Sequence, residues 1–279
     1  MKIRNCLFFV TLIAAILILT SCVNEPEQHT YDISDSFSGI RVEIDAADVN
    51  ILPTTDGARV ICKGNFAVEV KVGVLQVVET NEPEDWFEKI FTKNDYKATI
   101  YLPEAEYETL VVYCDVGDVN IDGVKAKDIT VVADTGDVQL SGLTSDTILV
   151  SGDTGRMKLS GIDCASLKAE NDTGKIEITN ARAEHMSIEA DTGDIKLDSV
   201  IATGKLSISV DTGDVTFNAC DGGEVYITAN TGDVKGSFLT DKIIFAESNT
   251  GKISIPKLTS GGKCEITTNT GDIIITVGK

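Results

Sequence analysis

The chain has 279 residues and a formal charge of −20, with 44 acidic against 24 basic side chains. A body this acidic excludes nucleic acid as a partner and will not dock on an anionic membrane face through its own surface. Its two histidines, His29 and His185, are too few for most His-based triads and zinc sites.

Met1 to Asn5 carries Lys2 and Arg4, and a largely apolar run follows from Cys6 to Thr20. This is the layout of a secretory signal peptide over residues 1–21, since the run is shorter than the ~20 residues a spanning helix needs. Leu19-Thr20-Ser21-Cys22 resembles the bacterial lipobox. Cys22 is therefore the expected lipidation site, with residues 22–30 as a polar tether and the lipid as the membrane attachment. Removing residues 1–21 discards Lys2 and Arg4 and no acid, so the expected mature charge is −22. The expected location is the bacterial cell envelope, lipid-anchored at the outer membrane or cell surface. An uncleaved anchor with an incidental cysteine is the alternative.

Residues 31–109 read as degenerate coils. Residues 42–51 mimic one coil, with Ala47 where later coils have glycine, and further strands are expected at 67–79 and 97–102. Residues 80–96 interrupt them with Trp86, Phe87, Ile90 and Phe91. Pro83-Glu84-Asp85 is a helix-start signal, and the aromatics fall at i,i+4 spacing. This insertion is either a short helix capping the tube or a binding loop that carries aromatics.

From residue 110 to 279 the phrase Asp-Thr-Gly-Asp-Val recurs about every nineteen residues, with glycines at 117, 136, 155, 174, 193, 213, 232, 251 and 271. A fixed period of this size without helical patterning marks a stacked repeat. The fold class is all-β: a single right-handed parallel β-solenoid (β-helix), with a short helical or irregular insertion near its N-terminal end. Apolar residues stand two and four after each glycine and five and seven before it, which is strand periodicity with one wet face. Counting by twos from Met186 through Ile188 and Ala190 reaches Thr192, so the corner ladder Thr135, Thr154, Thr173, Thr192, Thr212, Thr231, Thr250 and Thr270 is expected to point inward, with Val116 as its apolar near-isostere. A second corner falls at Gly123, Gly142 and Gly161 and loosens to Asn180 and Ser199, followed by an inward column that includes Val124, Leu143, Cys220 and Leu239. Cys62, Cys114, Cys164, Cys220 and Cys264 are odd in number and read as buried free thiols rather than a disulfide framework.

With the lipidated leader, an irregular N-terminal section, a Tyr101-Leu102-Pro103 strand and repeated Thr/Ser-Gly-Asp-Val/Ile coils, the chain from about residue 31 to its end resembles the bacterial putative-adhesin family of unknown function. It is similar to the "GIN" head domains of autotransporter adhesins. The resemblance implies a surface solenoid and brings no catalytic residues.

The residues themselves offer three chemistries. Asp-Thr-Gly is also the aspartic-protease phrase, but a regular ladder that softens to Asn230, Asn249 and Asn269 is turn chemistry. Stacked carboxylates could hold calcium between coils through Asp134, Asp137, Asp191, Asp194, Asp211 and Asp214; bonding of these side chains to the corner backbone is the simpler account. No resident cofactor is otherwise expected. A non-enzymatic, adhesin-like or scaffold module with a glycan or cell-surface ligand is preferred to a carbohydrate-active or carbohydrate-binding β-helix, because Tyr113, Tyr226 and Phe245 lie far apart in coil number and Lys158, Glu177 and Lys196 read as charges paired across coils. The final coil, residues 264–277, is as apolar inward as any other and is expected to form a bare end. Self-association or docking of an envelope protein there is the expectation, with Lys263, Glu265 and Lys279 as gatekeepers the alternative.

Overall fold

The computed structural model describes residues 27–80 and 96–278. The signal segment and Cys22 lie outside these residues, and so does the expected insertion except its two ends. Twenty-one strands and no helix are assigned among the described residues. In chain order the N-terminal ones are β1 (Gln28–Asp32), β2 (Gly39–Ala46), β3 (Asp48–Thr54), β4 (Arg59–Lys63), β5 (Phe66–Lys71), β6 (Val74–Glu79) and β7 (Lys97–Pro103). The regular coils use β8 (Glu106–Val116), β9 (Val119–Asp122), β10 (Lys125–Thr135), β11 (Val138–Ser141), β12 (Thr144–Thr154), β13 (Met157–Thr173), β14 (Ile176–Thr192), β15 (Ile195–Thr212) and β16 (Val215–Thr231). The last are β17 (Val234–Phe238), β18 (Lys242–Thr250), β19 (Ile253–Ser254), β20 (Gly262–Thr270) and β21 (Ile273–Val277). Strand β1 takes up residues 28–30 of the expected tether.

Equivalent residues of successive coils pair in parallel register, as in Thr135↔Thr154, Ile148↔Leu167 and Ile176↔Ile195. The expected apolar columns line the interior: Leu110, Val131, Val150, Ile188 and Ile227 are all buried. Each fully buried aliphatic side chain contributes about 1.5–3 kcal/mol relative to exposure. The five cysteines are free and buried, Cys114, Cys220 and Cys264 within the columns.

The threonine ladder stacks in register but faces solvent, contrary to the inward placement expected from the period of two. The alternation breaks after Ala190. Asp191 and Thr192 both fall on the outside of the bend, because the chain turns there before Gly193 (φ +146°) carries it into the next wall. The hydroxyls stay in water, and Val116 occupies the same outer position at 43% exposure. The inward corner residue is the one two before the threonine, buried as Ala133, Ala190 or Ala229. Where that residue is polar it bonds a glycine carbonyl of a neighbouring coil: Asn171 Nδ2 donates to Gly155 O (3.0 Å) and Thr268 Oγ1 to Gly232 O (3.1 Å).

Coil order departs from chain order at both ends. At the N-terminal end β2 lies between β6 and β8, and β3 between β7 and β9, so the first coil is an interior one. Beyond it β5 runs antiparallel to β6, β4 antiparallel to β7, and β1 closes on β4. At the other end β20 inserts between β16 and β18, and β21 between β17 and β19. The bare end is therefore formed by β18 and β19 rather than by the final coil, in which Cys264, Ile266 and Ile273 are fully buried. The physical reason lies in the two coils. The final one fills its inward wall positions with Cys264, Ile266, Ile273 and Ile275, all buried, and satisfies its inward corner residue Thr268 with a bond to Gly232 O. The preceding one offers Ala246 and a two-residue β19 that stops short of Pro256, which has no N–H to give a ladder and so belongs at an edge. A further correction concerns Leu239: it is 47% exposed, and Phe238 takes the inward place beside Cys220.

Lys242 fastens this arrangement. Its side chain is 3% exposed and ion-paired with Asp221, with Thr240 Oγ1 2.8 Å from Nζ. Strand β18 is separated from β16 by β20, so the lysine reaches past the inserted coil, where the aligned residue is the side-chain-free Gly262.

Candidate functional site

The acidic corner is built by the glycine. An added Cβ at Gly193 would stand 2.0 Å from Gly174 O, and at Gly155 1.9 Å from Gly136 O. Only glycine allows both this approach and the positive φ. The Asp after it then faces the next coil's backbone. Asp137 N–H donates to Asp118 Oδ1 (2.8 Å), Arg156 N–H to Asp137 Oδ1 (2.8 Å), and Asp214 N–H to Asp194 Oδ1 (3.1 Å). The ladder continues from Asp233 N–H to Asp214 Oδ1 (2.8 Å), Asp272 N–H to Asp233 Oδ1 (2.7 Å), and Lys252 N–H to Asp272 Oδ1 (2.8 Å). These carboxylates are thus acceptors for corner amides, as the simpler account expects.

The charges follow from these bonds. Hydrogen bonds from the Arg156 backbone and guanidinium hold Asp137 below the usual carboxylate range. The Lys235 side chain and then the Asp272 amide do the same for Asp233. In the outer column, partial burial and the nearby charges of Asp134, Asp45 and Glu79 push the Asp115 carboxyl up. That column ends in an amide chain: Asn230 Nδ2 donates to Asp211 Oδ1 (2.9 Å), Asn269 Nδ2 to Asn230 Oδ1 (3.1 Å), and Asn249 Nδ2 to Asn269 Oδ1 (3.1 Å). An amide both donates and accepts, so asparagine extends the column without adding charge. Of the six candidate calcium residues, Asp137, Asp194, Asp211 and Asp214 carry these ladder bonds. No group of three His, Cys, Asp or Glu among the described residues is placed to hold a metal ion.

Sequence reasoning missed a groove at the second corner. It encloses about 400 Å³ beside Gly123 and Gly142, with Pro53, Leu102 and Pro103 among its lining residues and Lys125 at its edge. Two left-handed glycines (φ +64° and +61°) keep side chains out of it. Farther along the tube Asn180, Ser199 and Ala219 keep the same backbone conformation and put side chains there. Tyr107, buried against Phe37 with ring centroids 5.9 Å apart, donates its hydroxyl to Pro103 O (2.9 Å) and so fixes the proline strand. Lys125 Nζ lies 3.2 Å from Glu106 Oε2. Proline faces beside an ion-paired rim suit a ligand with an apolar face and polar edges. The sequence signals were the Tyr-Leu-Pro strand and the glycine column.

The remaining expected chemistry stays dispersed. The register aligns Lys158, Glu177 and Lys196, but Glu177 takes its ion pair from Lys175 (2.8 Å). His185 accepts the Lys205 N–H at 3.4 Å. Arg41 lies over the Tyr113 ring at 5.2 Å, several coils from Tyr226.

Such a tube, stacked through glycine carbonyls and aspartate acceptors, defines a parallel β-solenoid of the repeat class. The chain belongs to the Toastrack DUF4097 family, whose pattern matches residues 37–276. It is similar to a solved structure from Parabacteroides distasonis described as a "putative lipid binding protein", at 16% identity and TM-score 0.56, covering 92% of this chain and 98% of that one. It is also similar to a "putative adhesin" from Bacteroides fragilis, at 16% identity and TM-score 0.46 over 90% and 97% of the two chains. Another "putative adhesin", from Parabacteroides merdae, gives 12% identity and TM-score 0.49 over 92% and 98%. No curated protein matches the chain.

Proposed function

We propose that the chain is a non-enzymatic, adhesin-like binding module of the bacterial envelope, anchored by lipid at Cys22. The observation that carries this reading is the polarity of the tube. Its described chain starts in β1, on the edge at one end, and the stack leads away to β18 and β19 at the other. At about 4.8 Å per strand, the twelve pairings from β1 to β19 put the far end roughly 60 Å from the anchored one. A lipid at Cys22 would hold that end at the membrane and present the rest, including the Pro53–Leu102 groove, outward. The groove is the ligand site in this reading, and the acidic corner is structural.

Membrane fractionation with labelled palmitate tests the anchor. The wild type should carry label and partition with membrane, and Cys22→Ser should accumulate unlabelled. Normal processing of that variant would refute the anchoring. A glycan and envelope-protein binding screen with a soluble form starting at residue 23 tests the module. Binding lost in Gly142→Trp, which fills the groove, supports it; undiminished binding moves the ligand site elsewhere.

A further inference from the structure

Among the described residues no strand covers the end of the tube formed by β18 and β19. Ile244 and Ala246 close two inward columns there and are only half buried, and Ile253, whose aligned partner Ile273 is fully buried, is 43% exposed. Phe245 (59%), Leu239 (47%) and Ile243 (36%) stand exposed beside them. Strand β18 pairs with β20 along one edge, and among the described residues nothing pairs with the other. The opposite end differs, because β1, β4 and β5 cross it in antiparallel pairings.

Charge distinguishes this end from the rest of the molecule. Between Leu239 and Leu258 the exposed charges are Asp241 and Glu247 against Lys252 and Lys257, Lys242 being buried on Asp221, in a chain that carries −20 overall. Two such bodies repel side by side, but this end is close to neutral and carries both signs.

We propose that the β18–β19 end is a homophilic contact that takes a second copy of this chain, tip to tip. The edge of β18 meets the same edge of its partner, antiparallel about a two-fold axis, and Phe245, Ile243 and Ile253 are buried between them. A second copy is the occupant the surface fits best. It offers the same free row of backbone donors and acceptors, the same bare columns, and lysines and acids that can pair reciprocally. End-on docking also keeps the acidic bodies as far apart as two tubes can lie. Because Pro256 and the short β19 interrupt the second wall, the contact rests on β18. Because it joins like to like, it closes as a dimer instead of growing into a fibre. The inference deepens the binding-module reading by naming a partner. Its test needs no lipid anchor and no groove ligand, so either idea can fail alone.

Sedimentation equilibrium of the soluble form starting at residue 23, from micromolar to millimolar concentration, decides it. Wild type should dimerise. Phe245→Lys and Ile253→Lys should each weaken the dimer by at least about 30-fold, as loss of a central buried anchor does. Both positions are exposed, so far-ultraviolet circular dichroism and melting of the variants should match wild type. Val72→Lys, fully exposed on the turn between β5 and β6, should leave the dimer unchanged. A wild-type monomer at millimolar concentration would overturn the proposal, and so would a dimer that survives the Phe245→Lys/Ile253→Lys double variant. Co-sedimentation of a monomeric wild type with phosphatidylglycerol vesicles, abolished by Phe245→Lys, would replace the second copy with a lipid surface.

Discussion

Replacing Gly193 by alanine tests the corner most directly. The new Cβ would sit 2.0 Å from Gly174 O and 2.6 Å from the carbonyl carbon, so the two coils must separate there. Holding a residue with a side chain near φ +146° costs on the order of 1–3 kcal/mol. Separating the coils strains the hydrogen bonds on either side, Gly174 N–H to Thr192 O and Gly193 N–H to Thr212 O, both 2.9 Å and worth about 1 kcal/mol each. The sum is roughly 3–5 kcal/mol, which at about 2–4 °C per kcal/mol for a domain of this size lowers Tm by roughly 6–20 °C. Thr192→Val, at the exposed neighbour, should stay within about 0.5 kcal/mol of wild type. Differential scanning calorimetry of the two variants measures both. Equal losses in the two would refute the account, because the glycine would then be no more constrained than the threonine outside it.

Ala219 holds φ +49°, where a side chain costs about 1–2 kcal/mol, so Ala219→Gly should raise Tm by the equivalent of up to about 1 kcal/mol after the extra entropy of glycine is subtracted. Gly142→Ala has the same backbone conformation but no Cβ contact closer than 3.7 Å, so it should lose about 1–2 kcal/mol and much less than Gly193→Ala. Asp115 has its folded-state pKa raised, so its charge opposes folding at neutral pH; Asp115→Asn should raise Tm there and lose that advantage as pH falls and both states protonate. Asp137 is depressed, so its contribution is present above the unfolded carboxylate pKa and lost as pH falls through the folded value; Asp137→Asn should lower Tm at neutral pH and have no effect in strong acid. Burial pushes the thiols of Cys62, Cys114, Cys164 and Cys264 up to about 12 and that of Cys220 up to about 11. In a form starting at residue 23, alkylation at pH 8 should label none of the five until denaturant is added, as mass spectrometry would show.

The columns were legible because burial repeats every nineteen residues and the pleat every two. Leu110, Val131 and Ile188 could be placed inside from those two numbers alone. The threonine ladder was misplaced because the pleat rule fails where the chain bends, and Val116 was misleading because an exposed corner tolerates valine as readily as a buried one does. The aspartate ladder was legible only as turn chemistry. Its acceptor role depends on the coil above, which no local pattern names. The Pro53–Leu102 groove joins residues from coils that are neighbours in space only because the first coil lies between the β6–β7 coil and the β8–β9 coil. That ordering was hidden from any reading that stacked coils in chain order.

Why order escapes periodicity has a physical answer. Coils with the same corner are interchangeable at the glycine, so Gly271 packs on Gly232 as closely as Gly232 packs on Gly213, each with a Cβ-to-carbonyl distance of 1.9 Å. The repeat fixes the period and leaves the sequence of neighbours to the exceptions. At the C-terminal end those exceptions are Pro256, Gly262 and the reach of Lys242 to Asp221. The result changes how the stack comes apart. In a linear solenoid the terminal coil is held by one interface and frays first. Here β20 and β21 are held on both sides, by β16 and β17 and by β18 and β19. The outermost coil in turn is joined at both its chain ends to coils beneath it, and Lys242 pins it across the inserted strand. Removing a buried partner from such a pair leaves an uncompensated charge, typically at a cost of about 3–5 kcal/mol. At this end, therefore, the outermost described coil has no tail of its own from which to peel, and fraying there must open the inserted coil as well.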